Sequence, residues 1–350
     1  MKVDLSSLKK ILVIQLRAIG DVVLTTGALA ILRKHLPEAQ IHFLTSRGID
    51  RLLNTLPEID QVKTYSYSVR NPFGVIRILP EIRRERYDLI IDYQGTPGTA
   101  YLTRLSGAPF RLGWKMKRRQ WAYNLHSSAN NKLRYVVHQK CEALEEIGIS
   151  DATEKTKLVI SQASKQKVDE LFQTLKIDTS RLLVNITPKG KRPARTWFPE
   201  RVAKLTDLLI EKHRATVFYN WAPGEREYAE YVRKLGKNQA IILPRLPMEV
   251  FAAFLSKIDL HVSYDNGPKH MAIALGTSTL SLFATDPPEF WNPVGNPEAP
   301  YILADVPCKF CRLRECGLMI CMKKIEPEEV LQKIEQIPSV RKKLQLPAEV

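Results

Sequence analysis

The chain has 350 residues, 44% hydrophobic and 26% charged, which describes an ordinary globular protein rather than a disordered one. Its 53 Lys and Arg against 37 Asp and Glu give a formal net charge of +16, which favours an anionic partner such as nucleic acid, phospholipid headgroups or a phosphorylated substrate. No apolar run reaches the ~18 residues that a membrane-spanning helix needs, and the length predicts two domains.

The first apolar run follows Lys9 and Lys10 and is ended by Arg17 and Asp21. No small-residue cleavage site comes after it, so it indicates a first strand rather than a signal peptide. We therefore expect a cytoplasmic protein that touches a membrane only from outside.

Apolar runs then alternate with amphipathic stretches. Strands are predicted at 11–16, 40–45, 61–65 and 88–92, and helices at 22–35, 47–54 and 73–86. A second series has strands at 182–187, 215–220, 240–243, 258–263 and 279–284, and helices at 200–213, 225–235, 247–256 and 268–275. This alternation is typical of β-α-β units and predicts an α/β protein with two doubly wound parallel sheets.

The expected joint between the domains is the polar stretch 161–180, a helix leading into a short linker. The predicted domains cover residues 1–165 and 178–325, and the tail 326–350 is predicted to be one charged helix that packs back on the first domain. Ligands of open parallel sheets bind beyond the carboxyl ends of the strands, so two such domains facing each other would enclose a cleft.

The turn after the first strand contains Arg17, Gly20 and Asp21 and leads directly into a helix. Asp21 falls at the carboxyl end of the strand, where the functional groups of such folds lie; as an alternative, it is the N-cap of the helix. The turn lacks G-x-G-x-x-G and the chain lacks G-x-x-x-x-G-K-[ST], which argues against a conventional dinucleotide dehydrogenase or a P-loop enzyme.

The first strand of the second domain ends at Thr187 and continues into a basic loop. The loop contains Lys189, Lys191, Arg192 and Arg195 before Trp197. Such cations can neutralise a diphosphate, and Arg does so with a planar fork. A solvated surface loop is the alternative, although Trp197 indicates that the exit of the loop is pinned.

Asp265, Asn266 and Gly267 separate a buried strand from a short helix that is predicted to begin at Pro268, and His270 lies in its first turn. The N-terminus of a helix can hold an anion such as phosphate on its backbone amides. The alternative is an ordinary turn with an N-cap.

Glu225 stands at another junction between a strand and a helix. A carboxylate there can accept hydrogen bonds from both hydroxyls of a ribose. It can equally be an acid that complements the helix dipole.

Basic and aromatic residues are interleaved between 111 and 140. The basic residues are Arg111, Lys115, Lys117, Arg118, Arg119, Lys132, Arg134 and Lys140, and the aromatic residues are Trp114, Trp121, Tyr123 and Tyr135. This mixture suits a sugar phosphate, a lipid headgroup or RNA. Each single charge is more simply explained as a solvated side chain, but the cluster as a whole is predicted to be functional.

Four of the five cysteines fall in one window, as Cys308, Cys311, Cys316 and Cys321. Their C-x2-C-x4-C-x4-C spacing is not a common zinc-finger pattern, and a reducing compartment disfavours disulfides. Reduced thiols in a compact loop are therefore favoured over a structural zinc site.

The motifs together resemble the ADP-heptose–lipopolysaccharide heptosyltransferases, the inverting glycosyltransferase family 9, over nearly the whole chain. The resemblance rests on ILVIQLRAIGDVVLTTGALAILRKHLPEAQI, KRPARTWFPE, YDNGPKHMAIALGTSTLSLF and the cysteine run with CMKKIEPEEVL. It implies the two-domain GT-B fold, with an acceptor-binding first domain and a second domain that binds the nucleotide sugar. It also implies transfer of heptose from ADP-heptose to a heptose or Kdo of the lipopolysaccharide inner core, at the inner face of the inner membrane.

The resemblance also assigns roles to single residues. In that family the aspartate matching Asp21 is regarded as the base that deprotonates the acceptor hydroxyl. Thr187 and Arg195 would hold the departing ADP, and Glu225 would bind its ribose. Asp265, Asn266, Gly267 and His270 would hold the phosphates, and the candidate acceptor-binding cations are Arg17, Lys115, Arg118 and Arg119. No cofactor is required and no nucleic-acid partner is expected.

The chain departs from the family pattern at several positions. Asn266 stands where Thr or Ser is more frequent, Arg195 stands where Lys is more frequent, and the Gly-Pro before T-D-P is missing after Phe283. Two alternatives remain beside the heptosyltransferase hypothesis. One is another nucleotide-sugar transferase, hydrolase or epimerase of the same fold, and the other is a non-catalytic protein that binds RNA or an anionic membrane.

Overall fold

The computed structural model describes residues 3–65, 71, 73–308 and 310–347 of the chain. The chain divides into two compact units, residues 1–159 and 160–350. Each unit contains one six-stranded sheet in which every neighbouring pair of strands is parallel. The two doubly wound sheets expected from the sequence are confirmed.

In the first unit the strand order is β3-β2-β1-β4-β5-β6. The strands are β1 Lys10–Ile14, β2 Gln40–Ser46, β3 Gln61–Tyr65, β4 Leu89–Asp92, β5 Phe110–Trp114 and β6 Leu125–Ser127. The helices are α1 Ile19–His35, α2 Leu79–Glu85, α3 Pro97–Leu105 and α4 Val136–Glu142. The order reverses between β1 and β4, so the carboxyl ends of these two strands form the switch point at which ligands of such sheets bind.

The second unit repeats this arrangement with the order β12-β11-β10-β7-β8-β9. Its strands are β7 Leu183–Ile186, β8 Thr216–Tyr219, β9 Ile241–Ile242, β10 Leu260–Tyr264, β11 Ser278–Phe283 and β12 Tyr301–Leu303. Its helices are α5 Gln162–Thr174, α6 Pro199–His213, α7 Arg226–Leu235, α8 Met248–Leu255, α9 Gly267–Ala274, α10 Pro288–Trp291, α11 Ile320–Lys324, α12 Pro327–Glu335 and α13 Pro338–Leu344. The switch point lies between β7 and β10.

The central strands are buried on both faces because helices cover both sides of each sheet. Ile11, Leu12, Val13 and Ile14 of β1 are fully buried. These four residues supply no polar side chain, so the chemistry at the carboxyl end of β1 is carried by the loop that follows it. Among the described residues, no helix is both long enough and apolar enough to cross a membrane.

Two predicted helices of the first unit differ from the structure. The segment 47–54 forms only a short 3₁₀ turn, Asp50–Leu52. The segment 73–86 is divided into a 3₁₀ turn, Gly74–Ile78, and helix α2, because Pro80 favours a new helix start. Strands β5 and β6 and helices α3 and α4 were not predicted, since basic residues interrupt the apolar pattern of this region.

The prediction of a single helix over 326–350 is also wrong. The segment forms two helices, α12 and α13, separated at Ile337 and Pro338. Val330, Leu331 and Val340 are buried in the main core of the second unit. Residues 348–350 of the predicted helix lie outside the described residues, as does Met1 at the start of the predicted first domain.

Candidate active site

Asp21 lies in the first turn of α1, at the carboxyl end of β1. The N-cap of this helix is Ala18, so Asp21 is its third residue and the N-cap interpretation is wrong. Oδ2 of Asp21 accepts a hydrogen bond of 3.1 Å from the Ala18 N–H. Oδ1 accepts none from the described residues, and the side chain is partly exposed. Asp21 therefore has one carboxylate oxygen available for a substrate proton.

The loop between β1 and α1 is held by two glutamines. Oε1 of Gln94 accepts hydrogen bonds from the backbone N–H groups of Leu16 and Arg17, both at 2.9 Å. Nε2 of Gln15 donates to the Arg17 carbonyl at 2.8 Å and to Gln94 Oε1 at 3.2 Å. These bonds fix the backbone just before Asp21.

Beneath this loop lies a buried cation, Lys140, which is only 2% exposed. Its Nζ donates to Gln15 Oε1 at 2.7 Å and to Thr25 Oγ1 at 3.0 Å, and it lies 4.7 Å from the ring centre of Tyr93. Burial lowers the pKa of Lys140 to about 8, against the opposing effect of the Asp21 charge. The prediction that Lys140 is a surface charge is wrong.

A second buried group at this edge is Asp92, the last residue of β4, which is paired in register with Ile14 of β1. Its carboxylate accepts hydrogen bonds from the Tyr123 hydroxyl at 2.8 Å and from the Gly95 N–H at 2.9 Å. Burial raises the pKa of Asp92 above its ordinary value. Tyr123 is thus a core residue that supports this acid, and it is not part of an aromatic surface.

The cluster 111–140 is divided by the fold into a buried part and an exposed part. Trp114, Tyr123 and Tyr135 are buried, as is Lys140. The candidate acceptor-binding cations Arg17, Lys115 and Arg118 are exposed and Arg119 is partly buried. All four lie in the first unit.

In the second unit, Asn266 is the N-cap of α9, and its side chain accepts a hydrogen bond of 3.0 Å from the Lys269 N–H. The helix begins at Gly267, so Pro268 is its second residue and not its first. The turn and N-cap interpretation is therefore correct for Asn266. It does not exclude an anion, because an N-cap leaves other first-turn amides available.

Asp265 lies just before this cap and contacts three basic side chains. Its Oδ1 lies 3.0 Å from Lys269 Nζ and 3.4 Å from His270 Nε2, and its Oδ2 lies 3.3 Å from Arg195 Nη1. The carboxylate is 13% exposed. Burial alone would raise the pKa of Asp265, but Lys269 and His270 hold it well below its usual range, so Asp265 is ionised. We call the set of Arg195, Asp265, Lys269, His270 and Asp286 the charged cluster.

Lys269 is fully buried. It was not identified as a site residue from the sequence. Besides Asp265, its Nζ reaches the Trp291 carbonyl at 2.7 Å and lies 4.9 Å from the ring centre of Phe283. Burial lowers the pKa of Lys269, and Asp265 opposes this effect. The spacing of four residues between Asp265 and Lys269 was the available signal.

Arg195 ends a short 3₁₀ turn, Pro193–Arg195, and is held on three sides. Its Nε donates to Thr285 Oγ1 at 2.7 Å, its Nη1 pairs with Asp265, and its Nη2 forms a short ion pair with Asp286. Burial lowers the pKa of Arg195, and Asp265 opposes this effect. Arg195 is therefore a cation held in place by its partners, not a solvated side chain of a surface loop.

Thr187 and Glu225 follow the neighbouring strands β7 and β8. The Thr187 hydroxyl donates to Asn220 Oδ1 at 2.8 Å, within a buried polar group that includes Asn185. Glu225 is the N-cap of α7, and its carboxylate accepts a hydrogen bond of 3.2 Å from the Ala222 N–H. Thr187 is thus largely buried, whereas Glu225 is partly exposed at the same edge of the sheet.

The cysteine window contains free thiols in the described residues. Cys308 and Cys311 are exposed, whereas Cys316 and Cys321 are partly buried. Burial raises the pKa of Cys321, and the nearby Cys308 and Cys311 add to this effect. Within the described ranges, no group of three or more His, Cys, Asp or Glu side chains is placed to hold a metal ion.

The sequence matches the profile of glycosyltransferase family 9 (heptosyltransferase) over residues 75–320. The lipopolysaccharide core heptosyltransferase OpsX of Haemophilus influenzae is 24% identical over 301 residues, which cover 82% of this chain and 82% of the relative.

Two solved structures share the fold. A family 9 glycosyl transferase from Veillonella parvula has a TM-score of 0.83 at 20% identity, covering 95% of this chain and 97% of that chain. The E. coli heptosyltransferase WaaC with ADP has a TM-score of 0.73 at 19% identity, covering 93% of this chain and 99% of that chain. The GT-B fold type predicted from the sequence is confirmed.

Proposed function

The chain belongs to glycosyltransferase family 9, the heptosyltransferase family, and on this premise we propose that it transfers heptose from ADP-heptose to the inner core of lipopolysaccharide, with a heptose or Kdo as acceptor and with inversion at the anomeric carbon. Family membership makes the chain an enzyme, so the non-catalytic alternative is set aside. The names of its relatives support the substrate class, since OpsX is a lipopolysaccharide core heptosyltransferase and the E. coli enzyme binds ADP.

In this proposal, Asp21 is the general base. Its available Oδ1 takes the proton of the acceptor hydroxyl while that oxygen attacks the anomeric carbon of the donor. The bond between the anomeric carbon and the diphosphate breaks, and ADP leaves with the bonding electron pair. The proton on Asp21 then passes to water.

The assignment of the donor-binding site rests on one observation, the charged cluster around Asp265. Arg195 and Lys269 are held in place before any ligand binds, so little reorganisation is needed when negative charge develops on the departing diphosphate. An ionised Asp265 would repel a phosphate placed directly on it. We therefore assign Asp265 the role of ordering Arg195, Lys269 and His270, while the first-turn amides of α9 and the outer edge of Arg195 meet the phosphates.

The remaining donor contacts follow the strand ends of the second unit. Glu225 is partly exposed and has one carboxylate oxygen beyond its bond to Ala222 for the ribose hydroxyls. The hydroxyl of Thr187 is engaged with Asn220, and it would meet the leaving group with its oxygen lone pair or after rotation. In this proposal, Asp21 of the first unit acts on the acceptor, and residues of the second unit bind the donor.

We further propose that the enzyme works in the cytoplasm as a peripheral protein at the inner face of the inner membrane. The support is the charge of +16 together with the anionic, lipid-anchored nature of the proposed acceptor. No cofactor is needed because Arg195, Lys269 and the α9 N-terminus supply positive charge to the diphosphate.

The donor is tested by thermal-shift and calorimetric titration with ADP-, UDP- and GDP-sugars. The proposal predicts a clear preference for the adenine nucleotide, and saturable binding of ADP-heptose that ADP displaces. Preference for UDP- or GDP-sugars would overturn the donor. Cleavage or epimerisation of the donor at the full rate without any acceptor would instead favour a hydrolase or an epimerase.

A further inference from the structure

Three aromatic rings form an exposed row on the first unit. Phe73, Tyr101 and Trp121 are 46%, 42% and 47% exposed. The ring centres of Phe73 and Tyr101 are 5.8 Å apart, and those of Tyr101 and Trp121 are 4.7 Å apart. Leu105, which is 39% exposed, lies one helical turn after Tyr101 on the same face of α3. We call these four side chains the aromatic patch.

The patch is rigid because its members stand on packed elements. Helix α3 contacts the 3₁₀ turn Gly74–Ile78, which Phe73 precedes as its N-cap, and the 3₁₀ turn Gln120–Ala122, which contains Trp121. Ala100, Ala122 and Tyr123 form a small buried core beneath it. The Trp121 indole N–H donates to the Arg118 carbonyl at 3.1 Å. The rings are therefore held at the surface although burial would stabilise each of them.

The surroundings of the patch are strongly basic. The sequence contains no Asp or Glu between Asp92 and Glu142, a stretch that includes two of the three rings. Arg104, Lys115, Lys117 and Arg118 are exposed, and none of them has an acidic partner within the described part of the chain. Cations left unpaired on a surface attract an anionic partner.

We propose that the aromatic patch, with its flanking cations, is the surface by which the enzyme docks on an anionic lipid bilayer. Tyr and Trp combine an apolar ring with a polar atom and so suit the membrane interface, while Phe73 and Leu105 enter the acyl boundary. Exposed Lys and Arg bind the anionic headgroups around them. This assignment deepens the proposed membrane contact and rests on it.

Single-stranded RNA fits the same patch less well. RNA-binding aromatic residues offer free ring faces on which bases stack. Here Tyr101 lies between the other two rings, with interplanar angles of 59° to Phe73 and 55° to Trp121, so that no row of parallel faces is presented. An apolar residue such as Leu105 also has no role in stacking, whereas it suits a bilayer.

The test is co-sedimentation of the full chain with two kinds of vesicle, phosphatidylcholine alone and an equal mixture of phosphatidylcholine and phosphatidylglycerol. We expect binding to the mixed vesicles at low salt and at least about tenfold weaker binding after Tyr101→Ser with Trp121→Ser, because each tenfold step needs only about 1.4 kcal/mol of lost burial. Tyr231→Ser is the matched control, since Tyr231 is 48% exposed on α7 of the second unit. This control should bind as the wild type does.

Two further readouts separate the outcomes. The double variant Lys117→Gln with Arg104→Gln should also bind the mixed vesicles more weakly. The Trp fluorescence of the wild type should shift to the blue on binding, whereas the fluorescence of Trp121→Ser should not shift. Transfer to a lipid-free acceptor should be unchanged by the aromatic substitutions, so a failure of the proposed function would be seen separately. Unchanged vesicle binding in the double aromatic variant, equal binding to both vesicles, or binding of oligouridylate or an acidic protein in place of vesicles would overturn the proposal.

Discussion

Lys140 Nζ donates a 2.7 Å hydrogen bond to Gln15 Oε1 below the loop that presents Asp21. The same Nζ reaches Thr25, whose hydroxyl donates to the Asp21 carbonyl at 2.7 Å. The Lys140 ammonium group is thus linked through Gln15 to Arg17 and through Thr25 to Asp21. A buried lysine is costly, and this one is compensated by neutral oxygens and by the nearby charges of Asp21 and Asp92.

The buried Lys140 should impose a pH dependence on folding. Burial lowers its pKa from 10.5 to about 8. Below pH 8 the folded state therefore contains a buried ammonium group, which is better solvated in the unfolded state. The unfolded state binds more protons between the two values, and the free energy of unfolding therefore rises as pH increases through this window, by about 3 kcal/mol in total. Denaturant unfolding at a series of pH values measures this.

Lys140→Met is the matched variant for that experiment. The neighbouring Cys141, whose pKa is raised to about 11 by burial, has the opposite effect on stability at alkaline pH. The difference between wild type and variant removes this shared contribution. Most of the expected change should appear between pH 8 and 10.5, and a difference independent of pH would contradict the burial of a charged Lys140.

Lys269→Met should destabilise the second unit. The substitution leaves Asp265 with less compensation and removes the hydrogen bond to the Trp291 carbonyl. Breaking a buried pair of this kind costs about 3–5 kcal/mol. Chemical denaturation gives the free energy of unfolding. The double variant Asp265→Asn with Lys269→Met should lose less than the sum of the single changes, and strict additivity would mean that the two side chains do not depend on each other.

Arg195→Gln should weaken nucleotide binding. It leaves Asp265 and Asp286 without their shared cation at the position proposed for the diphosphate. The loss of a charged hydrogen bond, about 1.5–3 kcal/mol, corresponds to at least a tenfold rise in the Kd for ADP. Calorimetry measures this, with Lys234→Gln on the exposed last turn of α7 as the control. An unchanged affinity for ADP would exclude Arg195 from the donor site.

The sequence predicted the sheets well because their central strands are apolar runs bounded by turn residues. Strand β3 was predicted at its observed bounds, and the ends of β2, β4 and β11 differ by one residue each. The region 111–140 was interpreted only as a cluster of basic and aromatic residues, since Arg111 and Gly113 obscure strand β5. Tertiary burial, not local pattern, makes this segment part of the sheet.

The candidate sites were predicted in part for a related reason. Asp21, Arg195, Asp265 and His270 were found from their positions after strands, and the structure brings the last three into contact. Lys269 was missed and Lys140 was taken as a surface charge because a lysine usually marks the solvent side of a helix. For Lys140 the signal was its place among Val137, Cys141 and Leu144, which are buried at helical spacing.

The most direct test of the account is the effect of Asp21→Asn on transfer and on donor binding, measured separately. Loss of a general base predicts a fall in kcat of about 10²–10⁴-fold, with the Kd for ADP-heptose unchanged because the proposed donor-binding residues belong to the other unit. Glu38→Gln, an exposed carboxylate of the first unit, should leave both quantities as in the wild type. Turnover retained by Asp21→Asn, or a lost affinity for the donor, would contradict the assignment of Asp21 as the base.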